Sequence, residues 1–154
     1  MKLPYETATS GERALAELQR TLAKFGCQSF GIMTDNEKGA TIVQFKWNNR
    51  TISLEASWKG YANAMLKNRP WSHNMRSTKQ EYMERCGEQA KVSVCSVLRD
   101  WIKGQITAIE CGVMSFEEAF MPHMLLTDGR RVIDKVRTDN LLPAPKDNVV
   151  EIGK

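Results

Sequence analysis

Residues 41–54 read TIVQFKWNNRTISL and predict a β-hairpin whose register follows from the sequence alone. Apolar and polar residues alternate on both sides of Asn48 and Asn49, which is typical of two half-buried strands. The asparagines favour a two-residue type I′ turn, because asparagine tolerates positive φ better than most residues. Such a turn sets apolar residues opposite apolar residues, as one buried sheet face requires. The predicted pairs are Trp47 with Arg50, Phe45 with Ile52 and Val43 with Leu54.

Another strand is predicted before the hairpin, at residues 28–34. Phe30 and Ile32 stand two positions apart there, so both side chains point to one face. They share the face of Val43 if the connecting loop closes with Thr34 opposite Gly39. The three strands then form an antiparallel meander.

A helix over residues 10–25 precedes the meander. Thr9 and Glu12 fit a capping box, in which each side chain bonds the backbone amide of the other residue. Gly26 favours a left-handed helix end. Apolar residues recur every three or four positions on one face of this helix, at Leu15, Leu18, Leu22 and Phe25.

A long helix follows the meander after an irregular stretch, residues 57–76, which holds a helical turn or two around residues 61–67. Ser77 and Gln80 predict a capping box at its start, and the apolar pattern continues to Cys111. The apolar stripe is wide, which indicates burial against the sheet and against either the first helix or a second subunit. A homodimer through this helix is therefore left open. Gly87 and Gly104 favour a kink or break within it.

The remaining chain predicts small elements. Ser115 and Glu118 fit a third capping box, which opens a short helix over residues 116–121. Residues 125–133 predict a turn with a short strand or hairpin, and the chain from Thr138 onward has the composition of a tail. The fold class is therefore α+β: an N-terminal helix, a three-stranded antiparallel meander, a long helix, a short helix and a C-terminal turn or strand. We expect one domain at residues 1–137 and a tail at residues 138–154.

Composition bounds the location of the protein. The 154 residues contain no apolar run near the roughly 20 residues needed to cross a bilayer. No export signal is recognisable at the start of the chain. The four cysteines lack short paired spacing, so they are expected to be reduced and mostly buried in apolar positions. We therefore expect a cytoplasmic protein without a zinc site or any other cofactor.

The positive charge is concentrated in one stretch, residues 57–80, which we call the basic segment. It carries +5 and no acid, so the rest of the chain carries −1 within an overall charge of +4. Its cations are Lys59, Lys67, Arg69, Arg76 and Lys79, and its aromatic residues include Trp58, Tyr61 and Trp71.

The basic segment is the candidate binding surface. Lysine and arginine neutralise phosphates and release counterions, and aromatic rings can stack on unpaired bases at roughly 1–3 kcal/mol per base. The competing interpretation is that the cations are merely solvated and the rings fill the core. The first interpretation predicts a nucleic acid, or an acidic protein surface, as partner.

The element order, together with CGVMSFEEAF at residues 111–120 and TDGRR at residues 127–131, resembles small uncharacterised proteins of bacteriophages and prophages. The resemblance covers most of residues 9–133. It implies a phage-encoded accessory protein and brings no catalytic residues with it. Proteins of that kind serve DNA metabolism or neutralise host defences, so the alternative function is an inhibitor of a host nucleic-acid-targeting complex, of the anti-CRISPR or anti-restriction type.

Two further alternatives have weaker support. The order helix, three strands, helix resembles the double-stranded-RNA-binding domain, but that family's turn motif and lysine cluster are missing. Asp35 followed by Gln44 and Lys46 resembles a degenerate nuclease motif that would hold Mg²⁺, with glutamine where an acid is expected. The sequence therefore favours a protein that is not an enzyme.

Overall fold

The computed structural model describes residues 2–146 and confirms the predicted α+β fold. Its three strands form one antiparallel sheet in the order β1-β2-β3. The elements are α1 (Gly11–Phe25), β1 (Ser29–Asp35), β2 (Ala40–Trp47), β3 (Arg50–Ser57), α2 (Trp58–Asn68), α3 (Lys79–Glu110), α4 (Phe116–Phe120), a 3-10 turn (Met121–His123) and α5 (Val132–Thr138). Residues 147–154, the end of the predicted tail, lie outside the described residues.

The predicted hairpin register is confirmed. Asn48 and Asn49 both have positive φ, 49° and 62°, as a type I′ turn requires. All three predicted pairs form, including Phe45 with Ile52. The register follows from sequence here because the turn length and the apolar pattern agree on one solution.

The predicted pairing of β1 with β2 is wrong by two residues. Thr34 pairs with Thr41 instead of Gly39. Gly39 lies in the turn with a φ of 67°, and its amide donates to the Asp35 carbonyl oxygen at 2.8 Å. A shift of two residues leaves every side chain on its predicted face, so the alternating pattern cannot distinguish the two registers.

The main core lies between one sheet face and the helices α1, α3 and α4. Phe45 of β2 and Phe120 of α4 are both almost fully buried, and their rings meet edge to face at 5.4 Å. The core residues are Leu18, Leu22, Val43, Phe45, Ile52, Leu54, Val94, Leu98, Ile102, Ile106, Phe116, Ala119, Phe120 and Met124. The hairpin and α1 therefore bury the faces that their patterns predict.

One of the three predicted capping boxes is replaced by a simple cap, and another is misplaced by one residue. Ser10, not Thr9, accepts the amide of Arg13. Thr78 and Glu81, not the residues before them, form the box that opens α3. Adjacent hydroxyl residues offer equivalent caps. The box at Ser115 is confirmed.

Helix α3 runs over 32 residues without the break that Gly87 or Gly104 could have caused. Helices α1 and α2 both pack along it, and its second half meets α4 and the sheet. Met83 and Trp101, which the predicted stripe includes, are 46% and 37% exposed. The helices of this one chain cover most of the wide stripe, and the homodimer stays a prediction.

The predicted turn within residues 125–133 forms, but the short strand beside it does not. Leu125 and Arg131 form only an isolated bridge, and α5 begins at Val132. The side chain of Arg131 holds Asp134 one turn into α5, with both nitrogen–oxygen distances at 3.0 Å. Thr138 still belongs to α5, so the predicted tail starts one residue too early.

No helix of residues 2–146 has the length and apolar character needed to span a membrane.

Candidate functional site

The first half of the basic segment is a helix, which covers residues 58–68 and is longer than the helical turn or two predicted around residues 61–67. Ser57 ends β3 and caps α2, with its Oγ accepting the Gly60 amide at 2.8 Å. Ala62 and Met65 are buried against Cys86 and Ala90 of α3. The sequence indicates this helix only weakly, because its buried face is formed by one alanine and one methionine instead of a row of large aliphatic residues.

The three candidate aromatic rings all have contacts within the fold. Trp58 is half-buried and packs against both apolar clusters. The Tyr61 hydroxyl donates to the Pro4 carbonyl oxygen at 2.6 Å. Burial raises the pKa of Tyr61. The Trp71 indole donates to the Ser77 carbonyl oxygen at 3.0 Å, and its ring meets the exposed ring of His73. Core packing therefore accounts for Trp58 and Tyr61, and Trp71 closes the turn before α3.

Trp58 carries an unusual feature. Its indole nitrogen is buried and has no hydrogen-bond partner among the described residues. The ammonium group of Lys91 lies 4.8 Å from the centre of the indole ring, a cation–π contact. This contact covers the ring from the side of α3.

One of the five candidate cations makes a side-chain hydrogen bond within the fold, and the other four do not. The stem of Lys59 lies against Gly39, and its Nζ donates to the Glu37 carbonyl oxygen at 3.3 Å. The other four side chains are exposed and make no ion pair or hydrogen bond within residues 2–146. They are Lys67, Arg69, Arg76 and Lys79.

Folding places carboxylates next to the basic segment. A groove of about 900 Å³ between α2 and α3 is lined by two arginines, Arg69 and Arg85, and by four acids. The acids are Glu6, Glu81, Glu84 and Glu88. This side of the basic segment is therefore not positive, although the segment itself contains no acid.

The residues of the nuclease alternative do not come together. Asp35 pairs with Ala40 at one end of β2, whereas Lys46 lies six residues further along the same strand. At 3.4 Å per residue, that is about 20 Å. The Asp35 carboxylate accepts the amide of Lys38, and the Gln44 amide donates to Ser53. These groups serve a turn and a strand pair.

The cysteines are free thiols. Cys86 and Cys95 are buried as predicted, whereas Cys111, expected to be buried, is exposed at the end of α3. Burial raises the pKa of Cys27 to about 11, which keeps it as an unreactive thiol. Within residues 2–146, no three His, Cys, Asp or Glu side chains lie close enough together to hold a metal ion.

A second basic surface, which the sequence analysis missed, lies between α1 and α3. The exposed face of α1 carries Arg13, Arg20 and Lys24, and α3 adds Arg99 and Lys103. The spacing on α1 places its three cations on one face, and this signal is visible in the sequence. Their neighbours on α3 are about eighty positions away along the chain, so only the fold brings the two sets together. We call this surface the α1–α3 groove.

No protein-family model, curated protein or solved structure matches this chain. The resemblance to phage proteins therefore stays a prediction, and functional inference depends on the geometry of these surfaces.

Proposed function

We propose that the protein is a non-enzymatic accessory protein that binds nucleic acid, as expected of a phage protein acting in the cytoplasm of a bacterial host. The observation that carries the proposal is the state of Lys67, Arg69, Arg76 and Lys79. These four cations are exposed and have no ion pair within residues 2–146. Cations that are free of carboxylate partners can bind phosphates without first breaking an ion pair.

The contacts of the aromatic residues support binding through phosphates. Trp58 is engaged in packing, and Tyr61 donates a hydrogen bond to the backbone. Of the three rings, Trp71 is the one that lies outside the apolar clusters, beside the exposed ring of His73. Stacking on several successive bases is therefore not supported by this arrangement. Binding through phosphates predicts weak sequence preference and a steep dependence on salt.

The test is fluorescence anisotropy with a labelled 24-nucleotide strand and with its duplex, at 50–200 mM salt. A variant carrying Lys67→Gln, Arg69→Gln, Arg76→Gln and Lys79→Gln is compared with a control that loses four cations elsewhere. The control changes Lys2, Lys46, Lys135 and Arg137 to Gln. We expect the segment variant to lose about tenfold in affinity at 100 mM salt relative to that control, since four phosphate contacts disappear. No binding by the unmodified protein at 50 mM salt would refute the proposal.

A second candidate, inhibition of a host nucleic-acid-targeting defence complex, is favoured by the groove beside Trp58. About 570 Å³ in volume, it is lined by Trp58, Met83 and Gly87 together with both lysines and glutamates. An apolar surface with a rim of mixed charge is typical of protein interfaces. This function predicts that expressing the protein blocks a host nuclease without changing its abundance, and that the uncharged change Met83→Gln removes the block while nucleic-acid binding persists.

A further inference from the structure

The α1–α3 groove is formed by two helices that run side by side in the same direction. At its start, Gly11 lies against Cys95, whose Sγ would be 3.4 Å from a β-carbon at Gly11. Further along, a Glu17 carboxylate oxygen lies 3.5 Å from Nε of Arg99. At the far end, Lys24 and Lys103 line one depression. The close approach at Gly11 fixes α1 along the second half of α3.

The cations of the groove are available for a ligand. Arg13, Arg20, Lys24 and Lys103 are exposed and have no ion pair within residues 2–146. On α1 they are separated by seven and four positions, which keeps them on one side of the helix. They cover about 16 Å of helix from Arg13 to Lys24, at 1.5 Å per residue. That length matches about five nucleotide steps of one strand at 3.4 Å each.

Arg99 at the centre of the groove is held in position. Its Nε lies 2.8 Å from the Asp100 carboxylate, which also accepts the Tyr5 hydroxyl at 2.7 Å. The hydrogen bonds from Arg99 and Tyr5 lower the pKa of Asp100. The side chain of Arg99 is 27% exposed, so it can still contact a ligand that lies in the groove.

The shape and lining of the groove suit an extended anion. It consists of two adjoining depressions of about 430 and 290 Å³, both of which Arg99 lines. Glu17 is the acid in their lining, and hydroxyl residues line the first depression. These are Thr7, Thr9, Ser10 and Ser96. Arginine, lysine, serine and threonine side chains supply many of the contacts that proteins make with phosphates and sugars.

We infer that the α1–α3 groove binds the sugar-phosphate backbone of a nucleic acid without reading its sequence. The inference rests on the proposed function, and it adds a second and separate binding surface. The two surfaces are distinct, because Lys79 and Lys103 on α3 are about 36 Å apart along the helix axis. A single small anion would contact only one or two of the groove cations, whereas a nucleic-acid strand would contact the whole row of them.

The test uses a groove variant with Arg13, Arg20, Lys24 and Lys103 changed to Gln, beside the segment variant and the four-cation control. Affinity for the 24-nucleotide strand and for the duplex is measured between 50 and 200 mM salt. Each phosphate contact contributes about 0.9 to the slope of log K against log salt for a duplex and about 0.7 for a single strand. We expect the groove variant to lose about three units of slope, and at least about tenfold in affinity at 100 mM salt, relative to the control.

The outcomes separate the two proposals. If the groove variant binds like the control while the segment variant loses affinity, the groove inference is wrong and the proposed function stands. A failure of the unmodified protein to bind at 50 mM salt overturns both. Unchanged thermal unfolding of the groove variant is expected, since its four side chains make no ion pair within residues 2–146, and it shows that a loss of affinity reflects the missing charges.

Discussion

The basic segment and the α1–α3 groove are positive for opposite reasons. In the segment the cations are neighbours in sequence, and the fold then places Glu81, Glu84 and Glu88 beside them. In the groove the cations come from two distant parts of the chain, and among the described residues Glu17 is the acid in its lining, with Asp100 paired to Arg99 beside it. The number of cations in a stretch of sequence therefore overestimates the positive charge of the basic segment and does not reveal the α1–α3 groove.

The aromatic residues separate the two regions further. Trp58 of α2 packs against both apolar clusters. This aromatic residue, which the sequence offered for base stacking, therefore stabilises the fold. The groove has Tyr5, whose hydroxyl is bonded to Asp100. Neither surface presents a row of free rings within residues 2–146, which is why we propose phosphate contacts and not base stacking for both.

The largest expected effect comes from Trp58→Ala, which tests whether the segment's best aromatic residue is structural. Truncating a fully buried tryptophan costs 3–5 kcal/mol, so for this half-buried ring we expect a loss of about 2 kcal/mol in the free energy of unfolding. That is about 30-fold in the folding equilibrium. The measurement is urea unfolding followed by circular dichroism.

The control for this prediction is Trp71→Ala in the turn before α3, which we expect to cost less because Trp71 lies outside both apolar clusters. Affinity of folded Trp58→Ala protein for the 24-nucleotide strand should equal that of the unmodified protein. A large loss of affinity at unchanged stability would restore base stacking as the role of Trp58.

A smaller effect is expected when the acids beside the basic segment are neutralised. With Glu84→Gln and Glu88→Gln together, we expect about fivefold tighter binding at 100 mM salt, since two like charges no longer repel the phosphates. Glu12→Gln with Glu110→Gln removes the same charge away from the segment and serves as the control in anisotropy titrations. Equal gains in the two variants would mean that only net charge matters and that these acids do not mask the segment.

The fold could be predicted where two local signals agreed. The β2–β3 register follows from turn length and apolar pattern together, whereas the β1–β2 register, with a longer loop, was wrong by two residues at Thr34. Helix α2 was predicted only as a helical turn or two, because Ala62 and Met65 give a weak apolar pattern until Cys86 and Ala90 cover them.

The candidate site was less predictable than the fold for a physical reason. The sequence identifies which residues are cations, but their potential depends on the neighbours that folding supplies. The glutamates lie after the segment, on α3, and face Arg69 only because α2 packs against that helix. Arg99 and Lys103 meet the α1 cations only because α1 and α3 lie side by side.

The smallest expected effect, from Glu17→Gln, gives the most specific test of the groove. Glu17 lines the groove among four cations and contacts Arg99. Its neutralisation removes the repulsion of phosphates at that point and leaves Arg99 held by Asp100, so we expect about threefold tighter binding at 100 mM salt. Glu12→Gln is the matched control, because it changes the same charge on the same helix away from the groove. A gain for Glu17→Gln that also disappears in the groove variant would place the ligand on this face of α1, whereas equal affinities for the two single variants would place it elsewhere.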